Sequence, residues 1–217
     1  MKGIHTIEYT ELWFHRETAD YLKKLSSKDS IALEVGIGKG EYLYLYPTEM
    51  NLILGDIKPK RRTSWQDRYK MHICQLDIEK LPFFTRSFNI IILQKIIAHI
   101  NNTKKARDEV YRTLKDNGIL ILSTVIRGPL GIGLHKNEKG KRVLEKLHIN
   151  EFKSIESLID LFSPKFKVEL IKKKFITFPI KKYFPKRLVK KFVFVFDKLI
   201  LPVPFYYYDV LAIFSKR

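Results

Sequence analysis

The chain has 217 residues, 45% of them hydrophobic, with 41 Lys and Arg against 23 Asp and Glu and a formal net charge of +18. This composition favours one globular domain with a full core and argues against a membrane-spanning helix, since no run approaches about 18 uninterrupted apolar residues. The single cysteine, Cys74, excludes a disulfide or a cysteine metal cluster within the chain, and we expect a cytoplasmic protein.

The positive charge predicts attraction to an anionic partner. Nucleic acid, an acidic membrane surface and a phosphorylated substrate all satisfy it. A basic surface without any such partner is the remaining interpretation. The charge alone does not choose among these four.

The first half of the chain alternates helices and strands. Apolar residues at helical spacing predict a helix over about 7 to 27, and short apolar runs predict strands. The predicted strands are 30–35, 51–54, 71–76, 88–93 and 119–125, and the helices between them are 40–46, 59–69 and 102–114. This alternation predicts a parallel, doubly wound sheet, in which ligands bind at the carboxyl ends of the strands. Gly36, Asp56, Asp77 and Gln94 each follow a predicted strand, so we expect them at one edge.

The last third of the chain changes character. Residues 167–178 and 206–214 are predicted as an antiparallel strand pair, with a basic insertion at 176–204 between them. Nine Lys and Arg and no acid occur from Lys172 to Lys191, and Phe194 falls on the basic face of a helix predicted for 185–201. Three interpretations remain for this helix: a membrane surface, a nucleic-acid surface that stacks a base on Phe194, or plain cover for the sheet.

The turn after the first strand, from Glu34 to Gly40, has the pattern E-x-G-x-G-x-G. Its glycines allow the backbone close to a nucleoside-bearing ligand, and its spacing departs from the dinucleotide pattern G-x-G-x-x-G. The turn resembles motif I of the class I S-adenosylmethionine-dependent methyltransferases, nearest to members of quinone and polysaccharide biosynthesis. The resemblance covers roughly residues 28–126, where segments 75–83, 87–93 and 114–124 follow in the family's order.

The resemblance implies S-adenosyl-L-methionine as the cofactor. Asp56 would hold its ribose hydroxyls, with helix capping as the alternative, and Asp77 would accept from the adenine amino group while Ile78 packs on the ring. Glu34 would help to position the amino-acid end. The predicted cofactor-binding residues are Glu34, Gly36, Gly38, Gly40, Asp56, Ile57, Asp77, Ile78 and Gln94.

Two histidines are candidate catalytic bases. His99 follows the fourth strand, where the resembling family often has a histidine, and His148 lies in a stretch similar to the start of that family's substrate-side helix. A ring hydrogen-bonded to the backbone is the alternative for His99, and structural packing is the alternative for His148. The histidines lack metal-ligand spacing, so no metal site is predicted.

The sequence thus predicts a single domain over 1–217 with a Rossmann-like class I methyltransferase fold: a seven-stranded, mostly parallel sheet with an antiparallel C-terminal hairpin. We expect an N-terminal helix to about residue 28, a cofactor-binding core at 29–126 and a substrate-side region at 127–217. The loop 127–135 is either a lid or a plain connection.

The predicted function is methyl transfer to a small-molecule or lipid-like acceptor, with a hydroxyl as the candidate atom and peripheral contact with an anionic membrane as a further expectation. An RNA methyltransferase and a non-catalytic S-adenosylmethionine-binding protein are the alternatives.

Overall fold

The computed structural model describes residues 13–25, 27–40, 42–59, 72–128, 133, 135–176 and 207–217. Several predictions concern other parts of the chain and lie outside these residues. They are the first turns of the N-terminal helix, the basic segment 59–69 beyond its first residue, most of the loop 127–135, and the basic insertion with Phe194.

Nine strands and three α-helices make up the described part of the chain. The helices are α1 (Trp13–Leu25), α2 (Thr103–Thr113) and α3 (Ile155–Phe162), with short 3₁₀ turns at Leu43–Leu45 and Ile97–His99. The strands are β1 (Ile31–Val35), β2 (Asn51–Asp56), β3 (His72–Gln75), β4 (Phe88–Gln94), β5 (Leu114–Arg127), β6 (His135–Lys136), β7 (Arg142–Val143), β8 (Phe166–Ile176) and β9 (Tyr207–Lys216).

Seven of the strands form one sheet in the order β3-β2-β1-β4-β5-β9-β8. The pairs among β3, β2, β1, β4 and β5 are parallel, whereas β9 runs antiparallel to both β5 and β8. The predicted seven-stranded, mostly parallel sheet with an antiparallel C-terminal hairpin is therefore confirmed. The carboxyl ends of β1, β2 and β4 meet at one edge, which is where the predicted cofactor residues lie.

The core lies on both faces of the sheet, because successive side chains of a strand point to opposite sides. On one face Leu33 and Ile91 pack in a cluster that includes Val110 of α2 and Phe162 of α3. On the other face Ala32 and Ile92 pack in a cluster that includes Leu22 of α1. The alternation fixes the register of β1 and β4, and with it the position of the turn that follows each strand.

Two predicted elements differ most from the structure, while the ends of the other described strands that were predicted shift by at most two residues. The segment 40–46 forms only the 3₁₀ turn Leu43–Leu45, since Pro47 follows closely and cannot continue a helix. The strand predicted from 119 begins at Leu114, which pairs with Phe88 before the register shifts to Ile90 and Ile119. The predicted turn survives as an irregularity within β5, where Asn117 has a φ of 61°.

In the described part of the chain, no helix is both long and apolar enough to cross a membrane.

Candidate functional site

The turn after β1 approaches its neighbours closely at one glycine and leaves space at the next. Gly36 has a φ of 81°, and its N–H donates to the Gly55 carbonyl at 2.8 Å. A Cβ at Gly36 would lie 2.0 Å from Cγ2 of Ile96, so this position excludes a side chain. Gly38 has a φ of 55° and no described atom within 4 Å of such a Cβ. Gly36 is thus fixed by packing, and Gly38 faces open space.

That space belongs to a cleft of about 280 Å³. The glycine turn from Gly36 to Gly40 forms one wall. Phe14 and His15 of α1 form a second wall, and Gln94 and Lys95 at the end of β4 form a third. The structure therefore brings together the predicted residues Gly36, Gly38, Gly40 and Gln94. This is expected for residues that follow the carboxyl ends of parallel strands.

A buried carboxyl group lies behind the turn. Glu34 is fully buried on β1, and its Oε1 accepts hydrogen bonds from the hydroxyls of Tyr42 at 2.6 Å and Tyr46 at 3.4 Å. Burial raises the pKa of Glu34 to about 8, although the two tyrosine hydrogen bonds oppose that rise. The Glu34 side chain is consequently protonated over much of the neutral range, unless a cation reaches it.

Three buried polar atoms around the cleft have no hydrogen-bond partner among the described residues: Oε2 of Glu34, Oε1 of Gln94 and Nδ1 of His15. Leaving a buried polar group unpaired costs about 1–3 kcal/mol, so a ligand that supplies partners gains that amount. The amide nitrogen of Gln94 is already used, because it donates to the Tyr46 hydroxyl at 2.5 Å. The unpaired amide oxygen of Gln94 is a hydrogen-bond acceptor, and Oε2 of Glu34 becomes one when the carboxyl group loses its proton, which fits a ligand that presents an ammonium group.

His15, Tyr42 and Tyr46 were missed by the sequence argument. The His15 ring stacks on Tyr42 with a centroid distance of 3.6 Å, and burial together with the charge of Lys95 lowers the pKa of His15 to about 3. His15 is therefore neutral at any working pH. The spacing of Tyr42 and Tyr46 directly after the glycine turn was a usable signal, since residues four apart share a helical face.

Asp56 connects the ends of β1 and β2. Its Oδ2 accepts from the N–H of Gly38 at 3.0 Å, and its Oδ1 accepts from the N–H of Lys58 at 2.9 Å. This places a carboxylate beside the glycine turn, as the ribose role requires, while both oxygens bind backbone. The neighbouring Ile57 side chain is 60% exposed, so it offers an apolar surface at this edge.

Asp77 and Ile78 follow β3, and the side chain of Asp77 is exposed whereas that of Ile78 is buried. Asp77 is exposed, and its Oδ1 accepts from the N–H of Glu79 at 2.9 Å. Ile78 is only 6% exposed and packs in the core cluster with Leu76 and Leu81. The contact of Ile78 with an adenine ring stays a prediction, and the structure shows its side chain packed in the core rather than exposed beside Asp77.

The two candidate bases, His99 and His148, lie close together beyond the end of β4. His99 ends the 3₁₀ turn Ile97–His99 and is exposed, whereas His148 is 5% exposed, and their ring centroids lie 4.9 Å apart. Nδ1 of His99 hydrogen-bonds the Leu147 carbonyl at 3.1 Å, which matches the backbone-bonded alternative. Nδ1 of His148 hydrogen-bonds Oε1 of Glu151 at 2.9 Å.

Residues 33–122 match the family described as Methyltransferase domain. Among curated proteins, the chain is 24% identical over 143 residues to malonyl-[acyl-carrier protein] O-methyltransferase of Hamiltonella defensa subsp. Acyrthosiphon pisum (strain 5AT). That similarity covers 63% of this chain and 53% of the relative, so the chain spans about half the length of this curated relative.

Two solved structures illustrate the shared fold. Phosphoethanolamine N-methyltransferase 2 of Haemonchus contortus, in complex with S-adenosyl-L-methionine, is similar with a TM-score of 0.62 and 17% identity, over 94% of this chain and 52% of that one. N-methyltransferase NodS of Bradyrhizobium japonicum WM9, in complex with S-adenosyl-L-homocysteine, has a TM-score of 0.58 and 15% identity, over 94% and 88% of the two chains. At these identities the likeness concerns the fold.

Proposed function

We propose that this chain, whose residues 33–122 carry a methyltransferase domain within a class I fold, transfers a methyl group from S-adenosyl-L-methionine to a small-molecule or lipid-like acceptor. A hydroxyl is the acceptor atom we favour. The observation that carries the proposal is the cleft at the glycine turn, which is open above Gly38 and bordered by buried acceptor atoms without partners.

The residues present fit the amino-acid end of this cofactor. An ammonium group in the cleft would find Oε1 of Gln94 as an unpaired acceptor and would favour the ionised form of Glu34, whose Oε2 then accepts as well. Asp56 lies beside the same turn, where each carboxylate oxygen accepts one backbone hydrogen bond and has a second lone pair for a ribose hydroxyl. Asp77, exposed after β3, is our candidate for the adenine amino group.

When bound, the cofactor supplies a methyl group on a sulfonium, which an acceptor lone pair takes in line while the carbon–sulfur bond breaks towards sulfur. The protein contributes chiefly by holding the reactants in line, a contribution of up to about 7–11 kcal/mol. His99 and His148 are our candidates for removing the proton of a hydroxyl acceptor. His99 is exposed and so accessible to an acceptor, whereas His148 is held by Glu151.

Two alternatives stay open beside this proposal. The net charge of +18 favours an anionic partner, and RNA is one such partner, so an RNA methyltransferase is the first alternative. A protein that binds the cofactor in this cleft but has no methyl acceptor would be a non-catalytic binding protein. Binding of bulk tRNA with a steep salt dependence would favour the first, and cofactor binding without product on any acceptor would favour the second.

Calorimetric titration with S-adenosylhomocysteine, with NAD as the control ligand, tests the cofactor proposal. Gly38→Val should abolish the binding, since its side chain enters the open space of the cleft. The matched control is Gly140→Val in the β6–β7 turn, where φ is also positive at 73° and no atom lies within 4 Å. Equal affinity in wild type and Gly38→Val, or loss in both variants, would contradict the proposed cleft.

A further inference from the structure

Three potential metal ligands lie close together, although one of them is distant from the other two in the sequence. His99 comes from the 3₁₀ turn after β4, and Glu145 and His148 come from the segment between β7 and α3. One ligand atom of each residue lies within 4.8 Å of the others. The sequence predicted no metal site because its histidines are not spaced along the chain as metal ligands usually are. The fold brings His99, Glu145 and His148 close together in spite of that spacing.

The tautomers of both rings suit metal binding. Nδ1 of His99 hydrogen-bonds the Leu147 carbonyl, so it carries the proton, and Nδ1 of His148 hydrogen-bonds the Glu151 carboxylate, so it carries the proton there too. Each ring is then left with a lone pair on Nε2. A histidine that donates its other N–H to a carbonyl or carboxylate is the arrangement that orients metal ligands in proteins.

The backbone holds the two segments together. The Ala98 carbonyl, next to His99, accepts from the N–H groups of Ile149 and Asn150 at 2.8 and 2.9 Å, next to His148. The Asn150 side chain adds a bond to the Ile100 carbonyl at 2.6 Å. The two histidines are thus positioned before any ion arrives, which lowers the cost of ordering ligands.

The third ligand supplies negative charge and can move. Oε2 of Glu145 lies 3.8 Å from Nε2 of His148, and the Glu145 side chain is 64% exposed. In a tetrahedral zinc site the ligand atoms lie about 3.3 Å apart, so a small rotation of the exposed Glu145 and His99 side chains closes the site. Two imidazoles and one carboxylate are a ligand set that leaves a fourth position open.

We propose that His99, Glu145 and His148 form a binding site for a divalent transition ion of the zinc type, with one coordination position left for water or for an acceptor oxygen. The binding itself is independent of the methyl-transfer proposal. A role in lowering the pKa of an acceptor hydroxyl rests on that proposal.

Metal-free full-length protein titrated with Zn²⁺ by calorimetry, and with Co²⁺ by visible absorption, tests the site. We expect one ion per chain and the absorption bands of four-coordinate cobalt. His99→Ala and Glu145→Gln should each weaken the binding at least about tenfold. The matched controls are His135→Ala and Glu138→Gln, an exposed histidine and an exposed acid nearby, which should bind as wild type.

Absence of saturable binding, or equal weakening in the controls, would overturn the metal site. His99 and Glu145 are both exposed, so these variants are expected to fold, and circular dichroism checks that they do. The titrations need no cofactor. Failure of the metal site therefore leaves the S-adenosylhomocysteine titration unaffected, and failure of cofactor binding leaves the metal titration interpretable.

Discussion

The protein buries one carboxyl group behind the glycine turn and another beside His148, and their pKa values move in opposite directions. Glu34 has only two tyrosine hydroxyls as partners, and burial raises its pKa to about 8. Burial would also raise the pKa of Glu151, but hydrogen bonds from His148 and the Leu144 N–H, with the charge of Arg127, lower it overall. Glu34 is wholly buried with few partners, whereas Glu151 is less deeply buried and has more of them, so the first is neutral and the second is an anion.

The difference indicates what each region is prepared for. A neutral, under-partnered carboxyl group is ready for a cation that enters the cleft at the glycine turn. The ionised Glu151 holds the His148 ring in one orientation through Oε1, and the guanidinium of Arg127 lies 3.5 Å from its Oε2. The first region is poised to change on binding, and the second is organised in advance.

The largest effect expected is on the pH dependence of stability through Glu34. Between pH 4.5 and 8 the folded protein keeps a proton that the unfolded chain has lost, so the free energy of unfolding falls as pH rises and levels off above 8. The change in the free energy of unfolding over this pH range is about 5 kcal/mol, at most about 1.4 kcal/mol per pH unit. Glu34→Gln should lack this slope in urea unfolding at pH 5, 6, 7 and 8. The same slope in both proteins would show that Glu34 is ionised when folded.

Glu151→Ala should destabilise the fold at neutral pH by about 3 kcal/mol, because it leaves Arg127 and the buried His148 without their shared partner. Urea unfolding at pH 7 measures the loss. Asp20→Ala is the matched control: its ion pair with Lys23 is more than half exposed on both sides, and about 0.5 kcal/mol or less is expected. Similar losses of stability in the two variants would show that Glu151 contributes no more than an exposed ion pair.

Tyr42→Phe should cost about 1 kcal/mol at neutral pH, since it removes the 2.6 Å hydrogen bond to Glu34 but keeps the ring that stacks on His15. That hydrogen bond opposes the rise in the pKa of Glu34, so the pH window should extend upwards in the variant. Unfolding at pH 6 and pH 9 measures both effects. Tyr44→Phe, at a residue 53% exposed, should behave as wild type, and any comparable change there would show that the effect is not specific to Glu34.

The region at the glycine turn was largely predictable from the sequence because its residues follow strand ends directly. Glu34, Gly36, Gly38, Asp56 and Gln94 needed only correct strands and a parallel sheet to be placed together. The core packing of Ile78 was not predictable, because its local pattern could not show which residues its side chain would contact.

The second region was not predictable in the same way. His99 and His148 were singled out separately, but their contact depends on backbone hydrogen bonds at the Ala98 carbonyl between segments distant in sequence. Glu145 carried one local signal, a Glu three residues before a His, which gains meaning only when His99 is known to be adjacent. Tertiary contact, rather than propensity, created this cluster.

The last effect expected concerns His15, which lines the cleft and stacks on Tyr42, and it is a change in ligand affinity rather than in stability. His15→Phe keeps an aromatic ring against Tyr42 but removes Nδ1, an unpaired buried atom at the cleft. Affinity for S-adenosylhomocysteine should fall about tenfold, equivalent to about 1.4 kcal/mol, with stability nearly unchanged. Because the pKa of His15 is about 3, the ring is neutral throughout, and the loss should be equal at pH 6 and pH 8. The exposed His72→Phe serves as the control in the same titration. Unchanged affinity in His15→Phe would mean that His15 only packs, and a loss confined to pH 6 would mean that its ring is charged there.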